Sequence, residues 1–238
     1  MSKVYLIRHG QASFLADDYD NLSDKGIAQS EILGNHFLKN NIFFDKIYIG
    51  NLKRHQQTYT GFLKAFENKN HKLPKPIYLE QLNEHKALEA LNAHFDDFIR
   101  DNKKAKEWFD KIAKKPSSKK KYSVQIFILF MQEFVLGKFP RKGSSIQSWE
   151  AFRMQVKEGF SSILKNTKKG ETIGVFTSGG TISSMLGECL ELKEEKVAAL
   201  NLAIRNTSFS QIFISENKCN VVSMNDIPHL EKGIVTFV

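Results

Sequence analysis

His9 is the residue of this chain best placed for covalent chemistry. It follows the apolar run 4–7, which predicts a short buried strand ending beside it. A neutral imidazole can attack phosphorus through one ring nitrogen when a backbone carbonyl holds the other. Gly10 would let the chain turn sharply and leave the ring accessible. The position therefore makes His9 a candidate nucleophile for phosphoryl transfer.

Two arginines and a glycine-rich helix start could bind the phosphoryl group that such a nucleophile needs. Arg8 and Arg54 would each present a planar fork to phosphoryl oxygens and stabilise the charge that develops on them. Ser178 and Gly179 open a predicted helix, whose first amides attract anions without adding charge. Glu84 could give a proton to the leaving oxygen and later take one from water. This chemistry requires no metal and no cofactor.

Each of these residues taken singly carries little information. Arg54 alone would be an ordinary surface arginine, Glu84 alone a solvated carboxylate, and paired glycines often mark tight packing. Their convergence carries the prediction, because ligands of open α/β sheets bind beyond the carboxyl ends of the strands. Arg8, Glu84 and Ser178 all follow predicted strands.

The elements that would position these residues alternate between strand and helix at both ends of the chain. Strands are predicted at 4–7, 45–50, 77–79, 171–177, 207–214 and 220–224, and helices at 24–38, 52–66 and 179–190. In the middle of the chain the pattern of apolar residues predicts several consecutive helices. We therefore expect a single α/β domain over residues 1–238, a three-layer sandwich with a mostly parallel central sheet, carrying a helical cap or insertion at about 88–145.

Length and composition fit a globular protein. The chain has 238 residues, of which 41% are hydrophobic and 26% charged, so a disordered or fibrous class is excluded. The longest apolar run, 126–131, falls far short of the roughly 20 residues that a membrane helix needs. The first residues leave no room for a signal-peptide core, and two cysteines cannot build a disulfide framework. We expect a cytoplasmic protein with no membrane partner.

The net charge of +9 comes largely from one lysine-rich stretch, 103–121. A solvated surface is the simplest interpretation of this stretch, and a patch that attracts anionic substrates is the alternative. No aromatic and basic recognition motif accompanies the lysines, so nucleic acid is not an expected partner. The expected partner is a small phosphorylated substrate, and the sequence leaves a homodimer open.

Six segments resemble, in order, the motifs of the histidine phosphatase superfamily, whose fold is also called phosphoglycerate mutase-like. They are LIRHGQA at 6–12, LSDKGIAQS at 22–30, LKRHQQT at 52–58, LNE at 82–84, TSGGTI at 177–182 and NTS at 206–208. The resemblance implies a phosphohistidine at His9, phosphate binding by Arg8 and Arg54, and an acid/base role for Glu84. The segments RHGQASF and TSGG also resemble those of a bacterial subgroup.

The chain departs from the superfamily pattern at two positions. Ser178 stands where the family has its second histidine. A hydroxyl donates one hydrogen bond but carries no positive charge, and losing one such donor commonly costs on the order of 10²–10³ in rate. Leu15 stands where many members have a phosphate-contacting asparagine. His55 or His85 could supply a substitute imidazole, although a bystander role is the simpler interpretation for each.

These features predict a metal-independent phosphomonoester hydrolase of the histidine phosphatase type, acting through a phosphohistidine. The alternative is a weakly active or inactive pseudoenzyme that binds phosphorylated ligands, an interpretation that depends on Ser178. A phosphoglycerate mutase is a third candidate. Mutases of this fold have a segment similar to LNERHYG around the acid, whereas this chain has LNEHKAL at 82–88. The physiological substrate is not indicated by the sequence.

Overall fold

The computed structural model of the chain describes residues 1–12, 20–139, 146–215 and 218–237. In chain order its elements are β1 (Ser2–Arg8), α1 (Asp24–Lys39), β2 (Lys46–Ile49), α2 (Lys53–Glu67), β3 (Ile77–Tyr78), α3 (Ala87–Asp101), α4 (Lys103–Lys114), α5 (Lys119–Phe134), α6 (Trp149–Lys165), β4 (Thr172–Thr177), α7 (Gly179–Leu190), α8 (Glu194–Ala203), β5 (Phe209–Ser215) and β6 (Lys218–Asp226). Short 3₁₀ turns lie at Glu80–Leu82 and Pro116–Ser118.

The strands form one six-stranded sheet in the order β3-β2-β4-β1-β5-β6. The first four in this order are mutually parallel, whereas β5 runs antiparallel to β1 and β6 antiparallel to β5. The register pairs Arg8 with Thr177 and Ile49 with Phe176, so the carboxyl ends of β1, β4 and β2 lie at one end of the sheet. The predicted α/β fold with a mostly parallel sheet is confirmed.

The chain divides into two compact units. The first comprises Met1–Glu84 and Gln155–Val238 and holds all six strands with α1, α2, α7 and α8. One cluster of buried side chains lies between one face of the sheet and α1 and α2, and it is strongly aromatic: Tyr5, Phe37, Phe44, Tyr59, Phe62, Phe66, Phe176 and Phe209. Alternate strand residues such as Val4, Leu6 and Val175 are fully buried too, because successive side chains point to opposite faces of the sheet.

The second unit, His85–Met154, contains α3, α4 and α5. Phe98 and Phe130 pack edge to face in its interior, with ring centroids 5.4 Å apart. Every lysine between residues 103 and 121 is exposed, as expected for a solvated surface. The organisation as one domain with an insertion at 88–145 stays a prediction.

Cys189, at the end of α7, and Cys219, in β6, form a disulfide with their Cα atoms 5.4 Å apart. The sequence did not indicate this bond, because the contact depends on β6 lying beside α7 in the fold. In the described part of the chain, no helix is long and apolar enough to cross a membrane.

The first unit carries a histidine that should make the fold sensitive to acid. Burial, aided by nearby His36, lowers the pKa of His229 from 6.5 to about 4. Between these two values the unfolded state binds more protons than the folded state, so stability is complete above pH 6.5 and is lost as the pH falls towards 4.

Because of His229, the free energy of unfolding of the wild type should fall as the pH is lowered, and we expect His229→Gln to remove up to roughly 3 kcal/mol of that fall. The measurement is chemical denaturation near pH 7 and near pH 4.5, with the same substitution at exposed His71 as the control. If the wild type and His229→Gln lost stability in parallel, the assigned pKa would be wrong.

Candidate active site

His9 lies just beyond β1, and hydrogen bonds hold its backbone on two sides. Its N–H donates to the carbonyl of Thr177 at the end of β4, at 2.9 Å. The backbone N–H of Thr207 and the side-chain amide of Asn206 donate to the His9 carbonyl, each at 3.2 Å. The predicted nucleophile is therefore fixed between neighbouring strands of the sheet.

The imidazole of His9 is held in one orientation. Its Nδ1 lies 2.7 Å from the carbonyl oxygen of Gly10, which assigns the ring proton to Nδ1 and leaves the lone pair on Nε2. The ring is buried, and burial lowers the pKa of His9 well below its ordinary value, with further lowering by Arg54, Arg8 and His55. The neutral form, which is the nucleophilic one, is therefore favoured.

Gly10 is required by the close packing of the chain at this position. Its φ is not in the left-handed region, so the backbone conformation alone does not require glycine here. A Cβ at this position would lie 2.4 Å from the carbonyl oxygen of Gly26. Glycine is needed because the chain after His9 passes directly against α1. The Gly10 N–H then donates to Thr58 Oγ1 at 2.9 Å.

Arg54 lies in the first turn of α2 and is nearly buried, with 7% of its surface exposed. Its Nη1 lies 2.7 Å from Oδ1 of Asp20, and its Nη2 lies 3.5 Å from Ser178 Oγ. The other oxygen of Asp20 accepts the backbone N–H of Lys53 at 2.8 Å. The predicted phosphate-binding arginine is thus paired with a carboxylate that also accepts a hydrogen bond from the start of α2.

Arg8, Gly179 and Glu84 meet at the start of α7. Arg8 donates to the carbonyl of Ile204, and its Nε lies 3.5 Å from where a Cβ on Gly179 would stand. Glu84 accepts the backbone N–H of Gly180 at 2.9 Å. A Cβ on Gly180 would lie 2.1 Å from the Glu84 carboxylate, so only glycine at this position leaves room for the Glu84 side chain.

Ser178 is fully buried at the N-cap of α7, where its side chain makes no capping bond. Its Oγ lies instead 2.6 Å from Nε2 of His55. His55 is also fully buried, and its ring centroid is 5.8 Å from that of His9. Burial, and then Arg54, lower the pKa of His55 well below its ordinary value. Its Nδ1 has no hydrogen-bond partner in the described part of the chain.

All six predicted site residues lie in the first unit, at the end of the sheet where β1, β2 and β4 finish: Arg8, His9, Arg54, Glu84, Ser178 and Gly179. The other candidate imidazole, His85, belongs to the second unit, where its Nε2 lies 3.0 Å from the Gln147 carbonyl and its ring packs near Phe134. Leu15 lies outside the described residues. Among the residues that the structure describes, no three His, Cys, Asp or Glu side chains form a group that could hold a metal ion.

The sequence profile of the histidine phosphatase superfamily (branch 1) matches residues 4–127 and 130–227. The chain belongs to this superfamily. Solved structures agree in fold: YhfR of Bacillus stearothermophilus is 18% identical with a TM-score of 0.67, covering 97% of this chain and 100% of its own. Phosphoserine phosphatase of Entamoeba histolytica is 17% identical with a TM-score of 0.64, covering 97% and 100%. Phosphoglycerate mutase of Bacillus anthracis is 20% identical with a TM-score of 0.62, covering 96% and 94%. No curated protein matches the chain.

Two residues of this site could not be assigned from the sequence. Asp20 is separated from Arg54 by 34 positions, and no pattern in its surroundings signals an ion pair. His55 was one of two candidate imidazoles, and only the fold brings its ring to Ser178. Both contacts are properties of the folded site.

Asp20→Asn is expected to tighten the binding of inorganic phosphate by about 2- to 5-fold, the scale of one partly exposed ion pair. The carboxylate holds Nη1 of Arg54 and repels an incoming anion, and the amide removes both effects. Calorimetric titration of phosphate into the wild type, Asp20→Asn and the exposed control Asp24→Asn measures the change. Weaker binding by Asp20→Asn alone would instead assign Asp20 the role of holding Arg54 in its binding position.

Proposed function

We propose that this histidine phosphatase superfamily member is a phosphomonoester hydrolase that acts through a phosphohistidine on His9. One observation carries the proposal. The Gly10 carbonyl holds Nδ1 of His9, so the lone pair on Nε2 is available to phosphorus. Arg8 adjoins His9 in the chain. Arg54 lies 3.5 Å from Ser178 Oγ, which contacts His55. The His55 ring centroid is 5.8 Å from that of His9, so both guanidiniums belong to the same site as the attacking ring.

The reaction has two steps. In the first, Nε2 of His9 forms a bond to phosphorus while the ester P–O bond breaks, and protonated Glu84 gives its proton to the leaving oxygen. In the second, Glu84 takes a proton from water, the water oxygen attacks phosphorus, and the P–N bond breaks to release phosphate. Arg8, Arg54 and the backbone amides at the start of α7 stabilise the equatorial oxygens in both steps.

The sequence around Glu84 favours hydrolysis over a mutase reaction. It is LNEHKAL at 82–88, whereas mutases of this fold have a segment similar to LNERHYG. The solved structures of similar fold include phosphatases for phosphoserine and for glucosyl-3-phosphoglycerate. For this chain we propose a small phosphorylated substrate and membership of the RHGQASF/TSGG subgroup. The second candidate function, a phospho-ligand-binding pseudoenzyme, is favoured only by Ser178 standing at the position of the second histidine.

The test is hydrolysis of p-nitrophenyl phosphate in a chelating buffer from about pH 4 to about pH 8, a range that spans the ordinary pKa values of carboxyl and imidazole groups. Multiple turnovers would support the hydrolase. Absence of turnover, combined with an increase in melting temperature on adding phosphate, would support the binding protein instead.

A further inference from the structure

The contact between Ser178 and His55 has no part in the reaction described above. Their side chains are both fully buried, and the Oγ to Nε2 distance is 2.6 Å. The same Oγ lies 3.5 Å from Nη2 of Arg54, one of the two guanidiniums proposed to bind phosphate. Ser178 therefore stands between an imidazole and the phosphate-binding cation.

The local backbone makes room for this imidazole. Gly50, at the end of β2, has no side chain, and a Cβ there would lie 2.3 Å from Nδ1 of His55. Any larger residue at this position would push the ring away from Ser178. Gly50 thus leaves room for the ring on its Nδ1 side, and Ser178 contacts the ring at Nε2.

The direction of the hydrogen bond matters, because a serine hydroxyl has only one hydrogen to donate. A phosphoryl oxygen bound at Arg54 is an acceptor, so Ser178 contributes to binding it only by donating that hydrogen. The Oγ must then accept a hydrogen bond from its other neighbour, which requires a hydrogen on Nε2 of His55.

We infer that His55 and Ser178 act as one unit that replaces the second histidine of the superfamily, with Nε2–H of His55 donating to Ser178 Oγ and Ser178 O–H donating to a phosphoryl oxygen. His55 is in this arrangement a positioning residue, since it acts through Ser178. The inference rests on the proposed function, because it assigns the phosphoryl group to the site of Arg54.

The unit predicts that the two residues cannot be removed independently. We expect His55→Leu and Ser178→Ala each to lower kcat for p-nitrophenyl phosphate by roughly 10- to 100-fold, somewhat less than the full loss of an oxyanion donor. The double variant should be within about 3-fold of Ser178→Ala, because the second substitution removes nothing further. A double variant whose loss equals the product of the single losses would overturn the inference.

A conservative variant separates hydrogen bonding from packing. His55→Gln keeps an N–H donor at about the reach of Nε2, so we expect it to retain activity within about 5-fold of the wild type. Activity as low as that of His55→Leu would overturn the role of the N–H. The matched control is His94→Leu, which removes another buried imidazole (2% exposed) from the second unit and should leave activity within about 2-fold. Melting temperatures of all variants identify any that fail to fold.

The structure also changes one expectation for Ser178→His. The resemblance alone suggests that restoring the family histidine leaves activity equal or raises it. Here the Oγ lies 2.6 Å from Nε2 of His55, so a larger ring that extends in the direction of this Oγ would collide with the His55 imidazole. We expect Ser178→His to have a lower kcat than the wild type. The double variant His55→Ala/Ser178→His should have a kcat at least about 10-fold higher than Ser178→His. No recovery would contradict the exchange of one imidazole for the other.

Phosphate affinity distinguishes failure of this inference from failure of the proposed function. If the wild type turns over no phosphomonoester, the hydrolase proposal fails. The wild type, His55→Leu, Ser178→Ala and their double variant are then compared by titration with inorganic phosphate. His55→Leu and Ser178→Ala should then each weaken phosphate binding by about 10-fold, with no further weakening in the double variant. Additive losses of affinity, or none in His55→Leu, would overturn the unit.

Discussion

His9→Ala is expected to lower kcat for p-nitrophenyl phosphate by at least about 10³-fold, because removal of a covalent nucleophile leaves only binding and charge stabilisation. The fold should survive, since the bonds that hold residue 9 to Thr177, Asn206 and Thr207 engage its main-chain atoms. Steady-state kinetics with circular dichroism measures both effects, and His71→Ala provides an exposed control.

Phosphate binding supplies the internal check on this variant. Arg8 and Arg54 remain in His9→Ala, so the dissociation constant for inorganic phosphate should stay within about 5-fold of the wild-type value. A variant that keeps activity within about 10-fold of the wild type would show that His9 is not the nucleophile, whatever its phosphate affinity.

Glu84→Gln is expected to produce the second large loss, about 10²- to 10⁴-fold in kcat with phenyl phosphate, which is the range for losing a general acid. The loss should be much smaller with p-nitrophenyl phosphate, because its acidic leaving group departs without a proton. The amide side chain of this variant would still present an oxygen to the Gly180 N–H, so the contact that positions the side chain is kept.

The comparison of two leaving groups makes the Glu84 experiment specific. Glu80→Gln, at an exposed glutamate of the neighbouring 3₁₀ turn, is the matched control and should be neutral with both substrates. Equal losses of Glu84→Gln with phenyl and p-nitrophenyl phosphate would assign Glu84 a structural role rather than proton transfer to the leaving group.

The strands and most helices of the first unit could be predicted because their apolar residues recur at the spacing of each element. β4 was expected at 171–177 and lies at Thr172–Thr177, and α7 was expected at 179–190 and lies at Gly179–Leu190. The helix α8 was missed because Val197 is its only buried residue among those described, so it has no apolar stripe to detect.

The positions of the candidate site residues could be predicted because parallel strands end at the same end of a sheet. What could not be predicted depends on distances between segments that are remote in the chain. The Asp20 to Arg54 ion pair and the His55 to Ser178 contact are of this kind. The close approach of Gly10 to Gly26 is likewise visible only once α1 is in place.

The central claim is that a phosphoryl group resides on His9 during turnover. The most direct measurement is a brief exposure of the wild type and His9→Ala to p-nitrophenyl phosphate, followed by alkaline denaturation, intact-mass analysis and peptide mapping. We predict one phosphoryl group on the peptide that contains His9, stable in base and lost in acid, and none in the variant. Turnover with no phosphorylated histidine, or with the phosphoryl group on another residue, would contradict this claim.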